Sequence, residues 1–319
     1  MKKILFLLIS IIGIVNAATS QITVSILPQK YFVEKITKDK FEINVMVQPG
    51  ASPHTYEPKT SQMKALAASK VYFSTGVSFE HVWLDKFKKN AKKTLFVDLS
   101  NGIEKLAMAE HEHHDEEEYE EHKDEHKAHD HDEHKHEAKD NHDDHEHEAK
   151  DNHDGEDGLD PHIWLDPILV KIQAKNIYDT MLKVDAQNAD FYKENYEQFI
   201  KELDELDANL KTILAPFKDK AFMVFHPSWG YFAKRYDLVQ IPIELQGKEP
   251  KPNELVELIK DAKEHNIKIV FVSPQFSQKS AKTISQNIDA KVATINPMVE
   301  NWSEGLIMTA KEIASSYTK

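Results

Sequence analysis

A segment of 48 residues with almost no apolar side chains, Glu110 to Asp157, constrains the fold of this chain more than any other feature. It holds 13 of the 18 histidines, 23 acidic residues and 5 lysines, which gives it a net charge of −18. Because it has too few apolar side chains to form a core, it is predicted to be disordered without a ligand. The core must therefore be assembled from the two flanking parts of the chain.

The flanking parts carry a net charge of only +4, against −14 for all 319 residues. A nearly neutral body lacks the basic face that nucleic-acid binding requires, so no nucleic-acid partner is expected. The absence of cysteine excludes disulfide scaffolds, thiolate zinc sites and cysteine nucleophiles, and it removes the residue that would carry a lipid anchor. The length suffices for two domains or one large one.

The N-terminus has the pattern of a secretory signal peptide, predicted to span residues 1–17. A basic start at Met1 to Lys3 precedes an apolar run from Ile4 to Val15, and small residues up to Ala17 form a cleavage site. An apolar run of about 12 residues is too short to cross a membrane, which takes about 20. The mature protein is expected to be soluble and exported, in a bacterial periplasm.

Short β-rich segments alternate with helical segments on both sides of the acidic segment. Strands are predicted at 22–27, 42–47, 71–74, 95–98, 222–225, 239–243, 269–272 and 291–295. Helices are predicted at 31–36, 80–89, 167–184, 189–214, 230–236, 253–265, 277–288 and 302–317. The longest, Ala189 to Leu214, repeats apolar residues along one face and is followed by Pro216.

Two βα blocks joined by a long helix predict an α/β fold with two lobes, each built on a mainly parallel sheet. The predicted boundaries are 18–188 for the N-terminal lobe, 189–214 for the linking helix and 215–319 for the C-terminal lobe. Ligands of such lobes bind beyond the carboxyl ends of the strands, so the expected site is the cleft between the lobes.

Three histidines outside the acidic segment, His54, His162 and His226, are each flanked by proline and lie beside the end of a strand or the start of a helix. Neutral imidazole is a good ligand for zinc, and three of them at about 2.0–2.1 Å leave one tetrahedral position open. These histidines are therefore the candidate metal ligands. Metal affinity is expected to fall below about pH 6.5, where imidazole becomes protonated.

The acidic segment alternates imidazole with carboxylate, and an eight-residue motif that begins at His136 recurs at His147. Such a chain can bind several divalent ions loosely, because it is not preorganised. We interpret it as an accessory zinc collector or sensor, with a solubilising loop as the alternative. Its candidate ligands are His111, His113, His114, His129, His131, His134 and His136.

The three proline-flanked histidine segments resemble, in order and spacing, those of the metal-binding subunits of bacterial ABC importers. The acidic His-rich segment just before the second of them makes the chain most similar to the zinc-binding, ZnuA-like members, and the resemblance covers residues 22–317. It implies two (β/α) lobes bridged by one rigid helix, with the metal in the interlobe cleft. It also implies a monomer that captures Zn²⁺ in the periplasm and delivers it to a membrane permease with its ATPase.

The same resemblance places His54 and His162 in the first lobe and His226 in the second. Manganese-binding members have a carboxylate at the position of His226, so an imidazole there favours zinc. The family's aspartate in an Asp-Pro pair is Asn296 here, followed by Pro297. Asn296 is thus the candidate fourth ligand, with water or a histidine of the acidic segment as alternatives.

Three acidic residues near the histidines, Asp160, Asp166 and Glu57, are candidates for orienting the imidazoles, or are simply turn and helix-cap residues. Two other functions stay open: a free-standing periplasmic zinc buffer or chaperone, and a zinc hydrolase with three histidine ligands. The chain has no His-Glu-x-x-His run, so an enzyme is not expected.

Overall fold

The computed structural model describes residues 20–108, 158–245 and 248–318. The predicted signal peptide and the acidic segment, with its seven candidate ligands, lie outside these residues. Among the helices that are described, none is long and apolar enough to cross a membrane.

The first lobe is built on a parallel sheet of four strands. Its elements are β1 (Ser20–Val24), α1 (Leu27–Thr37), β2 (Phe41–Val45), α2 (Thr60–Ala68), β3 (Val71–Ser74), α3 (Ser78–Asn90), β4 (Leu95–Asp98) and α4 (Pro167–Val184). The strand order is β2-β1-β3-β4, with every neighbouring pair parallel. The central strand β3 is buried throughout, as expected of a sheet covered by helices on both faces, whereas the edge strands β2 and β4 are mostly half-buried.

The second lobe repeats this arrangement. Its elements are β5 (Ala221–Val224), α6 (Gly230–Arg235), β6 (Val239–Pro242), α7 (Pro252–Glu264), β7 (Ile269–Val272), α8 (Lys279–Ile288), β8 (Lys291–Thr294) and α9 (Trp302–Tyr317). The order β6-β5-β7-β8 is again parallel throughout and matches the order of the first sheet. The predicted fold of two parallel-sheet α/β lobes is therefore confirmed, whereas the boundaries 18–188 and 215–319 stay a prediction.

A single helix of 26 residues, α5 (Ala189–Leu214), lies between the lobes in the chain and begins and ends where the sequence predicts. It is roughly 39 Å long at 1.5 Å per residue. Its buried face packs against α1 and α4 of the first lobe and α9 of the second. The buried residues of this face are Tyr192, Phe199, Leu203, Leu206, Asp207, Leu210 and Leu214.

Two tryptophans connect the lobes directly. The indole N–H of Trp164 donates to the carbonyl oxygen of Pro297 at 2.8 Å, and that of Trp302 donates to the carbonyl oxygen of Trp164 at 2.7 Å. The Trp302 ring also meets Phe32 edge to face, with ring centroids 4.9 Å apart. Both indoles are almost fully buried, so these contacts lie in a core that the lobes share.

The residues that flank the acidic segment are held together by an isolated antiparallel bridge. Ala107 pairs with Leu159, and the N–H of Met108 donates to the carbonyl oxygen of Gly158 at 2.7 Å. The chain therefore returns after the acidic segment to the place it left, a few residues before His162.

Candidate metal centre

Each of the three candidate histidines lies in a loop next to a strand or helix. His54 is in the loop between β2 and α2, and His226 follows β5 by two residues. His162 precedes a short 3₁₀ turn, Ile163–Leu165, which leads into α4. Because the strands of each sheet are parallel, the loops after β2 and β5 both open at carboxyl edges, where a ligand site is expected.

The structure brings the three histidines into one cluster. The Nε2 atoms of His54 and His226 are 3.0 Å apart, and one ring nitrogen from each histidine lies within 4.8 Å of the others. The ring centroid of His162 lies 5.2 Å from that of His226 and 6.4 Å from that of His54. Among the described residues, no other group of three or more histidine, aspartate or glutamate side chains is close enough together to hold a metal ion.

Each imidazole is held through its Nδ1 atom. His162 Nδ1 lies 2.6 Å from Asp160 Oδ1, and His226 Nδ1 lies 2.6 Å from Glu244 Oε1. A carboxylate only accepts hydrogen bonds, so these two Nδ1 atoms carry the proton and the Nε2 lone pairs are free for a metal.

The third imidazole, that of His54, is held by a hydroxyl group. Its Nδ1 atom lies 2.8 Å from Ser78 Oγ, at the first residue of α3. Because all three Nδ1 atoms are hydrogen-bonded to groups outside the cluster, the Nε2 atoms are left to bind a metal ion.

Burial keeps two of the three imidazoles, those of His54 and His226, uncharged. Burial, reinforced by the neighbouring imidazoles of His226 and His162, lowers the pKa of His54 to about 3. Burial also lowers the pKa of His226, although its hydrogen bond to Glu244 acts in the opposite direction. Both rings are thus neutral near pH 7, the form that coordinates zinc.

Aromatic rings form part of the wall around the cluster. Phe276 stacks on His226, with ring centroids 4.7 Å apart and planes inclined by 23°, and Trp164 lies 5.0 Å from His162. His162 and His226 are only 3% and 7% exposed. A site of this kind restricts water around a bound ion and strengthens its electrostatic contacts.

The other acidic candidates differ in what they contact. Asp160 accepts hydrogen bonds from both the backbone N–H and the ring of His162, as an orienting residue would. Asp166 instead caps α4, accepting from the N–H of Ile168 at 2.7 Å. Glu57 is exposed.

The oxygen of Asn296 already has two partners. It accepts hydrogen bonds from Gln275 Nε2 at 2.9 Å and from the N–H of Met298 at 3.0 Å. These bonds describe a residue that stabilises the turn before α9, and its role as a fourth ligand stays a prediction.

Three residues around the cluster were not predicted from the sequence: Glu244, Ser78 and Phe276. Glu244 had one local signal, because it comes two residues after the end of β6, at the carboxyl edge where the site was expected. It is 7% exposed, which is rare for an acidic residue without a partner.

A family model described as "ZnuA: Zinc-uptake complex component A periplasmic" matches residues 22–315. The chain belongs to the ZnuA family. Among the relatives of this family, it is 29% identical over 275 residues to the high-affinity zinc uptake system protein ZnuA of Bacillus subtilis, covering 85% of this chain and 76% of the relative. It is 27% identical to the zinc-binding protein AdcA of Streptococcus pyogenes, but spans only 58% of that protein's length.

Solved structures of the same family share the fold. A crystal structure of ZnuA is 37% identical and superposes with a TM-score of 0.76, over 93% of this chain and 98% of the other. A ZnuA deletion mutant with zinc bound is also 37% identical, with a TM-score of 0.77 over 94% of this chain and 99% of the other.

Proposed function

We propose that this protein captures Zn²⁺ in the periplasm and delivers it, as a monomer, to the permease and ATPase of an ABC-type zinc importer. The observation that carries the proposal is the convergence of three imidazoles, two of them buried and that of His54 half-buried, each held outward through Nδ1. Membership of the zinc-uptake family supports the same function.

The donor set of the cluster selects for zinc. Three neutral imidazoles suit a borderline-soft ion such as Zn²⁺ better than the harder Mn²⁺, which prefers carboxylate and water oxygens. The carboxylates of Asp160 and Glu244 lie behind the rings and add negative charge without contacting the ion. We propose His54, His162 and His226 as the ligands, with the fourth position filled by water, by Asn296 or by a histidine of the acidic segment.

The same geometry argues against a hydrolase. A zinc hydrolase needs a base within reach of the metal-bound water. The carboxylates of Asp160 and Glu244 are each engaged with a histidine Nδ1 atom, so neither is available to take a proton from such a water. We therefore infer a protein that binds and releases its ion unchanged.

The acidic segment is proposed to be an accessory collector or sensor of zinc. The residues on either side of it are joined at the Ala107–Leu159 bridge, and Asp160, the next residue, bonds His162. Ions bound by this segment are thus concentrated next to the cleft.

The deciding experiment is a zinc titration against a competing chelator on four proteins. These are the wild type, a deletion of 110–157, the triple variant H54A/H162A/H226A, and the two changes combined. We expect the deletion to keep one tight site and the triple variant to lose it. Tight binding that follows the acidic segment would overturn the assignment of the cleft and favour a zinc buffer.

Transport is tested separately from binding. Cells that lack this protein but retain the permease and ATPase should regain growth in zinc-depleted medium with the wild type and not with the triple variant. Rescue by the wild type in cells that also lack the permease would favour a free-standing buffer.

A further inference from the structure

The residue that orients His162 is itself held from the opposite lobe. Asp160 directly follows the bridge between Ala107 and Leu159. Its backbone N–H donates to the carbonyl oxygen of Leu106 at 2.8 Å. Tyr231 is the second residue of α6, in the second lobe. Its hydroxyl donates to the carbonyl oxygen of Asp160 at 2.8 Å and accepts from the N–H of Leu106 at 2.9 Å.

These three hydrogen bonds form a closed set. Leu106, Asp160 and Tyr231 are each hydrogen-bonded to the other two. Both the backbone N–H and the backbone carbonyl of Asp160 are therefore held in place. Tyr231 is 4% exposed, and burial raises the pKa of its hydroxyl to about 12, so the proton that it donates stays in place.

The neighbouring residue in α6 makes a second, steric contact with the same carboxylate. A methyl group on Gly230 would lie 2.9 Å from Asp160 Oδ2, closer than such atoms approach. Asp160 is only 1% exposed and cannot move away into solvent. The absence of a side chain at Gly230 is therefore what lets the carboxylate lie against the start of α6.

The far end of α6 is also anchored. Arg235 donates two hydrogen bonds to the carboxylate of Asp207 in α5, at 3.0 and 2.9 Å. One short helix thus connects the linking helix at its C-terminus to the Asp160–His162 pair at its N-terminus.

We propose that Gly230 and Tyr231 are positioning residues for zinc binding, through which the second lobe sets the orientation of His162 in the first. This inference rests on the proposed function and extends it to regulation of the same site. Zinc affinity then depends on contact between α6 and Asp160, and separation of the lobes at this contact removes two of the groups that hold Asp160 in the position that orients His162. A permease that pulls the lobes apart here would weaken the site before the ion leaves.

The test compares Y231F and G230A with the wild type in the full-length protein. Y231F removes two hydrogen bonds, and G230A displaces the carboxylate while favouring helix formation. We expect each to weaken zinc binding by about tenfold, the lower end for groups that support a ligand, and to raise the zinc dissociation rate. The visible absorption bands of Co²⁺ bound in place of zinc should also change, since they report ligand geometry.

Two control variants separate positioning from general damage. Y236F removes a buried hydroxyl that bonds Asp207, and G305A places a methyl group of α9 against Val299, which precedes that helix. Both should lower the melting temperature and leave zinc affinity and the Co²⁺ spectrum unchanged. In a D160N background, Y231F should have a much smaller effect, because the carboxylate through which it acts has been altered.

Three outcomes would decide the matter. Wild-type affinity in folded Y231F and G230A would overturn the inference, as would a Y231F effect of equal size in the D160N background. If Y231F does not fold, G230A carries the test. Failure of the wild type itself to bind zinc tightly would instead overturn the proposed function.

Discussion

Glu244 Oε1 lies 2.6 Å from His226 Nδ1, although the two residues are 18 positions apart and follow different strands. Strands β5 and β6 are paired in parallel, so the residues that follow them emerge side by side at the same edge of the sheet. This pairing fixes the tautomer of His226 and leaves its Nε2 atom to face the other two histidines.

Replacing Glu244 by glutamine should therefore weaken zinc binding by about 10- to 100-fold, the usual effect of altering a partner of a metal-bound histidine. The carboxamide has the same shape but no negative charge, so the imidazole becomes a poorer donor. Zinc affinity is measured by chelator competition. Glu249→Gln is the matched control, because that carboxylate lies in the same lobe and bonds Ser280 instead. Equal affinities of E244Q and the wild type would contradict the role of Glu244.

Each single change His54→Ala, His162→Ala and His226→Ala should lower zinc affinity by at least about 100-fold, since two imidazoles cannot complete a tetrahedral site. Isothermal titration of the protein without residues 110–157 isolates the cleft. His81→Ala and His265→Ala, outside the cluster, serve as controls and should bind as the wild type does. If replacing one of the three histidines left the zinc affinity unchanged, that histidine would not be a ligand.

The metal-free protein should lose stability as the pH falls from about 6.5 towards 3. The pKa of His54 is about 3 in the folded protein and near 6.5 in the unfolded chain, so within this window the unfolded state binds the extra proton. The melting temperature of the variant His54→Gln should fall less than that of the wild type between pH 7.5 and 5. Comparison with this variant is needed because burial raises the pKa of Glu80 to about 7, which gives the opposite slope.

An unchanged slope in H54Q would contradict that assignment. The same low pKa implies that protons do not compete with zinc at His54 until the pH is well below 6.5. The site should therefore hold zinc to a lower pH than free imidazole would.

Replacing Arg235 by alanine should lower the free energy of unfolding by about 1–3 kcal/mol, the usual range for hydrogen bonds to a charged group. Its guanidinium bonds Asp207 twice, and Asp207 is 6% exposed. Lys211→Ala is the control, because Lys211 pairs with the same carboxylate from an exposed position and should cost less than about 1 kcal/mol. Urea denaturation measures both. Similar losses in the two variants would show that the pair of hydrogen bonds from Arg235 stabilises the fold no more than the exposed ion pair does.

Local sequence patterns were enough for most of the fold. The apolar run Val71 to Ser74 indicates a buried strand. The apolar face of Ala189 to Leu214, followed by Pro216, indicates a helix and its end. Each of these signals depends on residues that are close together in the chain. Helix α2 (Thr60–Ala68) was missed because only Leu66 in it is fully buried, so it lacks an apolar stripe.

The site was predictable only in part. Proline next to His54, His162 and His226 marked the loops, and Asp160 is two residues from the ring that it holds. Glu244 and Ser78 meet their histidines only through the pairing of strands and helices that are distant in the chain. Burial, which shifts the onset of proton competition at His54 below the expected pH 6.5, cannot be read from local sequence.

The bridge between Ala107 and Leu159 separates the part of the chain that forms the lobes from a part whose length the fold does not fix. Residues can be gained or lost beyond it without moving a strand or a cleft histidine, and each doubling of a flexible loop costs only about 0.6 kcal/mol in closure entropy. The repeated motif at His136 and His147 is the kind of duplication that such a junction tolerates. The fold of the two lobes thus sets little limit on the number of histidines that the acidic segment can carry.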